Sequence, residues 1–171
     1  MNGYEFYPED GSTLYEEEAW ELSERARSLW LRLTFAGEYS EGIRPVQIQG
    51  RKYLPMFPAR DGIYTIEQVR EKFLAVFSEE FTDKTLNAAI ASKDLLEYNG
   101  NVYASYKKNR GETSYNSWAD HVRDDGDGKF TVVMGGSMPP NGGTVYVELP
   151  TEKNAAGKFV FTDYPYWDQS E

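Results

Sequence analysis

The chain has no cysteine and a single histidine, His121. Without cysteine there are no thiol nucleophiles, disulfides or thiolate metal sites. With one imidazole an ordinary zinc centre, which takes two or three, is out of reach, and a Ser-His-Asp triad could run only through His121. The expectation for His121 is a strand or loop residue with no catalytic part. Basic residues are also scarce: 18 Lys and Arg stand against 28 Asp and Glu, a formal charge of −10. A field of that sign repels nucleic-acid phosphates and anionic membrane surfaces, so neither is an expected partner. It steers the chain towards a basic protein surface, although acidity is also common in proteins that merely need to stay dissolved.

Long apolar runs are missing too, and none approaches the eighteen residues that a membrane-spanning helix requires. The opening Met1-Asn2-Gly3-Tyr4-Glu5 lacks the basic and apolar regions of a secretory leader. Two locations fit: the cytoplasm, or the cell exterior after removal of a leader. The abundance of Tyr, Asn and Gly without Cys favours the second, a secreted or wall-associated protein.

What is present suits one compact unit. With 171 residues, 40% hydrophobic and 15% aromatic, the chain can bury a core without covalent staples. The expected layout is a flexible acidic arm over 1–12, a single α+β domain over 13–167 and a short tail over 168–171. No repeat, linker or low-complexity tract interrupts it.

Periodicity fills in the elements. Thr13-Leu14-Tyr15-Glu16 fits a capping box, and Tyr15, Ala19, Leu22, Ala26, Leu29, Trp30 and Leu33 follow at helical spacing towards a stop near Gly37. Acids (Glu16, Glu17, Glu18, Glu21, Glu24) precede bases (Arg25, Arg27, Arg32), which suits the helix dipole. Trp20 and Trp30 are expected near the core, Trp118 and Trp167 in more open positions. Strand-like residues around Ile48 and Tyr53 predict a hairpin at Gly50. Thr65 with Gln68 opens a second helix carrying Ile66, Val69, Phe73, Val76 and Phe77, and Thr82 is expected to cap a third with Leu86, Ala89 and Ile90. Asn99-Gly100 between apolar runs is the strongest short hairpin signal in the chain. Further strands are expected from Asn116 to Val122, at Phe130-Thr131-Val132-Val133-Met134, at Val145-Tyr146-Val147-Glu148-Leu149 and at Lys158-Phe159-Val160-Phe161-Thr162. The resulting fold class is α+β, with N-terminal helices on one face of a curved antiparallel sheet, cystatin-like or NTF2-like. Such folds serve enzymes and binders alike, so fold does not choose the function.

Two loops invite a chemical reading and resist it. Asp124-Asp125-Gly126-Asp127-Gly128 cannot be placed in the register of an EF-hand, and Asp and Gly gather at hairpin turns for backbone reasons. A solvated turn is therefore preferred to a loose calcium site. Gly135-Gly136-Ser137-Met138-Pro139-Pro140-Asn141-Gly142-Gly143 has no Lys-Ser/Thr ending and no following helix, so it is not a phosphate loop. It reads as a long hairpin loop, whose Met and prolines could enter a partner's cleft. No carboxylate pair stands out as a glycosidase couple among so many acids. No metal or cofactor is expected, and a non-enzyme is preferred.

Thr65-Ile66-Glu67-Gln68-Val69, Phe77, Phe81-Thr82, Asn99-Gly100-Asn101-Val102-Tyr103, Arg110-Gly111-Glu112 and the Gly157-Lys158-Phe159-Val160-Phe161 strand together give a pattern that resembles the bacterial D,L-endopeptidase inhibitor family. The likeness takes in most of the chain beyond residue 12, but no inhibitory residue matches position by position. It implies a secreted protein that covers the catalytic cleft of NlpC/P60-type peptidoglycan hydrolases during cell separation. The implied partner is a hydrolase with a basic cleft, met by a monomer. Loop position and charge nominate Asp120, Asp124, Asp125 and Asp127 as the charged contact, with Met138 and Pro139 as an apolar probe. The alternatives are an NTF2-like pocket protein for a small ligand, and an acidic immunity protein that neutralises a basic toxin.

Overall fold

The computed structural model describes residues 11–34, 44–106, 116–138 and 143–164, with backbone only at 116–117 and 137–138. Helix α1 spans Glu16–Thr34 and buries Ala19, Leu22, Ala26, Leu29 and Leu33 along the expected stripe. It starts later than the capping-box pattern predicts. The Tyr15 carbonyl accepts the Ala19 amide at 2.9 Å, so Thr13 lies ahead of the cap position. Three glutamates in the first turn favour the start electrostatically. Trp20 falls one position off the stripe and is 40% exposed, against expectation. The expected stop near Gly37 lies outside the described residues.

The first sheet is built from two tight hairpins. Strands β1 (Val46–Ile48) and β2 (Arg51–Pro55) turn at Gln49-Gly50, and β3 (Leu95–Tyr98) and β4 (Asn101–Ser105) turn at Asn99-Gly100. Both turn residues have positive φ in each case, 51° and 82° in the first and 49° and 76° in the second, the type I′ geometry that matches strand twist. Pairing of β2 with β4 gives the order β1-β2-β4-β3. Between the hairpins lie α2 (Ile66–Leu74) and α3 (Glu79–Ala91). The Thr65–Gln68 capping box of α2 is fully formed. Helix α3 differs from expectation at its start: Ser78, not Thr82, is the cap, accepting the Phe81 amide at 3.2 Å. The Thr82 amide is already bonded to the Ser78 carbonyl, which places Thr82 inside the helix, fully buried.

The later strands form a second sheet rather than extending the first. They are β5 (Asn116–Gly126), β6 (Lys129–Met138), β7 (Gly143–Lys153) and β8 (Phe159–Phe161), in the order β5-β6-β7-β8 and antiparallel throughout. The fold is α+β, with its helices packed against sheet strands, and its strands are divided four and four. One apolar cluster joins the layers, drawing Leu22 and Leu29 from α1, Leu54 and Val102 from the first sheet, Phe73 from α2, and Val132, Leu149 and Phe161 from the second sheet. The α2–α3 corner is fastened to β8: the Ser78 amide donates to the Phe161 carbonyl at 2.8 Å and the Phe161 amide to the Val76 carbonyl at 2.8 Å. Phe77 sits at this joint, its ring 4.8 Å from Phe81 and 5.7 Å from Tyr164. Among the described residues, no helix is long and apolar enough to cross a membrane.

Candidate interaction surface

The β5–β6 hairpin holds most of the acids nominated by the sequence. Its turn is shorter than expected. Only Asp127 and Gly128 form it, with φ of 55° and 74°, while Asp124 and Asp125 belong to β5. Strand β5 is an edge of its sheet, and its register with β6 shifts twice, between Ala119 and His121 and between Asp124 and Gly126. The inserted residues are Asp120 and Asp125. Bulges and charges of this kind stop an edge strand from pairing with another chain.

Each hairpin acid has its own surroundings. Asp120 bonds the His121 ring nitrogen at 2.7 Å. That bond, seconded by the Trp118 indole N–H, holds its carboxyl below the usual 3.8. Asp124 accepts the Gly126 amide at 2.9 Å. Asp125 accepts the Thr131 hydroxyl at 2.5 Å and Arg123 Nε at 2.7 Å, and these bonds, Thr131 first, lower its pKa. Arg123 also bonds Glu148 across the sheet, and the two carboxylates push its pKa further up. Asp127 makes no hydrogen bond or ion pair among the described residues.

The expected apolar probe is not beside these acids. Strand β6 runs straight through Gly135 and Gly136 to Met138, where a loop was expected, because those glycines pair with Val145 and Tyr146 of β7. Lys129 pairs with Gly126 at one end of the strand and Met138 with Gly143 at the other. Nine strand steps, about 30 Å, separate the two ends. Pro139 lies outside the described residues.

A second concentration of acid, which along the sequence simply complements the helix dipole, lies on α1. Glu16, Glu17, Glu18 and Glu21 line a groove of about 780 Å³ with Leu14 and Tyr15, and Val122, Asp124 and Phe130 form its other wall. No basic residue lines it. These four glutamates make no hydrogen bond or ion pair among the described residues. The signal that could have found the groove is the bulge-corrected period of β5. It turns Val122 and Asp124 to the same side as the core residues Phe130 and Val132, which they face in register. Asp124 is thus the one nominated residue shared by the hairpin and the groove. Among the described residues, no group of three or more His, Asp or Glu is arranged to hold a metal ion.

No family model matches the chain, and no curated protein matches it.

Proposed function

We propose that this chain is a non-catalytic binding protein that docks on the basic cleft of a peptidoglycan D,L-endopeptidase of the NlpC/P60 kind and restrains it at the cell wall. The observation that carries the reading is the open acidic groove between the first turn of α1 and the end of the β5–β6 hairpin. No cation lines the groove itself with Glu16, Glu17, Glu18, Glu21 and Asp124, although Glu18 and Glu21 also border an adjoining cleft that holds Arg25 and Lys158. The four glutamate side chains make no hydrogen bond or ion pair among the described residues. Carboxylates left in that state add to the field that steers a basic partner and can pair with it on arrival. Leu14 and Phe130 supply apolar contact within the same groove. The choice of hydrolase rests on the resemblance found in the sequence, and the nature of the contact rests on the groove.

The test is a turnover assay of purified NlpC/P60 catalytic domains with added protein, at low and at high salt. Inhibition that weakens with salt supports the reading, and no binding to any of them overturns it. The groove also falls within the 300–1,000 Å³ typical of small-molecule sites, which favours a cationic ligand as the second reading. A screen of polyamines and basic peptides against the same groove variants would address it.

A further inference from the structure

The outer face of the second sheet carries a different chemistry from the groove. Register places Trp118, Gly135 and Tyr146 side by side across β5, β6 and β7. The Trp118 indole packs directly against the Gly135 backbone: a Cβ added to Gly135 would sit 2.5 Å from Cε2 and 2.6 Å from Nε1 of the indole. Glycine is thus what lets the ring lie against the sheet. Tyr146, two strands away and so about 10 Å across, is 59% exposed. The next rows on this face bring His121, Arg123 and Glu148, all exposed, with Asp120 and Asp125 at the bulges.

We propose that this face is a saccharide platform for a flat, β-linked pyranose chain. The C–H edges of one sugar face are attracted to the negative face of an aromatic ring, and a ring already packed against the sheet costs less entropy to order on binding. Two aromatic positions about 10 Å apart suit alternate sugars of an extended chain, which rises about 5 Å per ring. The charged rim decides the class of occupant. Three carboxylates (Asp120, Asp125 and Glu148) stand against the Arg123 guanidinium and the His121 imidazole, so the rim is acidic although partly paired. Such a rim repels a polyanion, and its carboxylate oxygens can accept hydrogen bonds from a neutral ligand rich in hydroxyls. This inference stands apart from the hydrolase reading, because it uses the opposite side of the sheet from the groove.

The experiment is an NMR titration of the whole chain with chitohexaose and, separately, cellohexaose, following the indole N–H signals. The expected result is a saturable shift of the Trp118 signal, with the Trp20 signal unmoved. Trp118→Ala should weaken binding about tenfold or more, and Tyr146→Ala by a smaller factor. Trp118→Phe, which keeps an aromatic ring if the alanine variant fails to fold, should retain partial binding. A Trp118 signal that stays fixed with both sugars at millimolar concentration overturns the proposal, as does undiminished binding by Trp118→Ala. Sugar binding without hydrolase inhibition would leave the platform standing and remove the hydrolase reading.

Discussion

The acids of β5 and the acids of α1 are close in space and opposite in situation. On β5, Asp120, Asp124 and Asp125 are each bonded to a neighbour within the chain, and the Arg123 guanidinium is shared between Asp125 and Glu148. On α1, Glu16, Glu17, Glu18 and Glu21 project into a groove with no lining cation. A carboxylate held in an ion pair offers a partner less than one without an ion pair, which keeps more of its field. Charge counted along the sequence therefore points to the hairpin, and charge counted after internal pairing points to the helix.

The sharpest way to break this comparison is to neutralise the helix. Replacing Glu16, Glu17, Glu18 and Glu21 by Gln moves the formal charge from −10 to −6. It should weaken association with the basic partner about tenfold or more at low salt, and much less at high salt. Binding kinetics at two ionic strengths would show the loss mainly in the association rate.

Arg123→Ala makes the reverse cut. It leaves Asp125 and Glu148 facing one another without their cation, so the melting temperature should fall while association changes less than about twofold. Calorimetry with the binding assay separates the two effects.

The third prediction concerns acid. Asp120 and Asp125 on β5, and Asp83 on α3, which accepts Arg70 Nε of α2 at 2.8 Å, all have folded pKa values below the ordinary 3.8. Their contribution to stability is complete above that value and is lost as pH falls through the lower, folded values. Unfolding midpoints should thus hold from neutral pH to about 4 and drop below it. A variant with Asp83, Asp120 and Asp125 all changed to Asn should lose that dependence, while the α1 glutamine variant keeps it.

The smallest effect sets a scale away from both clusters. The Thr82 hydroxyl is buried without a hydrogen-bond partner among the described residues. Thr82→Val should therefore stabilise the fold or leave it unchanged, by up to about 1 kcal/mol, because it removes an unmet polar group at nearly constant volume. Chemical denaturation would register it.

Much of the fold was legible because local chemistry and tertiary packing agree. The Thr65–Gln68 box, the α1 stripe and the Asn99-Gly100 hairpin are each decided within a few residues of chain. The misplaced features are those decided at a distance. Ser78 takes the cap of α3 because the corner before it is held by β8, a strand more than eighty residues later. Gly135 and Gly136 look like loop until Trp118 is seen lying over one of them. The division into two sheets depends on β2 pairing with β4 across two intervening helices. The candidate site was half legible: acid runs are visible in sequence, but whether each acid is already spent on a neighbour is not.

The most direct measurement sets the two acid clusters against each other in one assay. The α1 variant (Glu16, Glu17, Glu18 and Glu21 to Gln) and a β5 variant (Asp120 and Asp125 to Asn) are titrated into the same NlpC/P60 domain at low salt, with hydrolysis followed throughout. The account predicts that the α1 variant loses inhibition and the β5 variant keeps it. Loss in the β5 variant with inhibition intact in the α1 variant would contradict it, returning the contact to the hairpin.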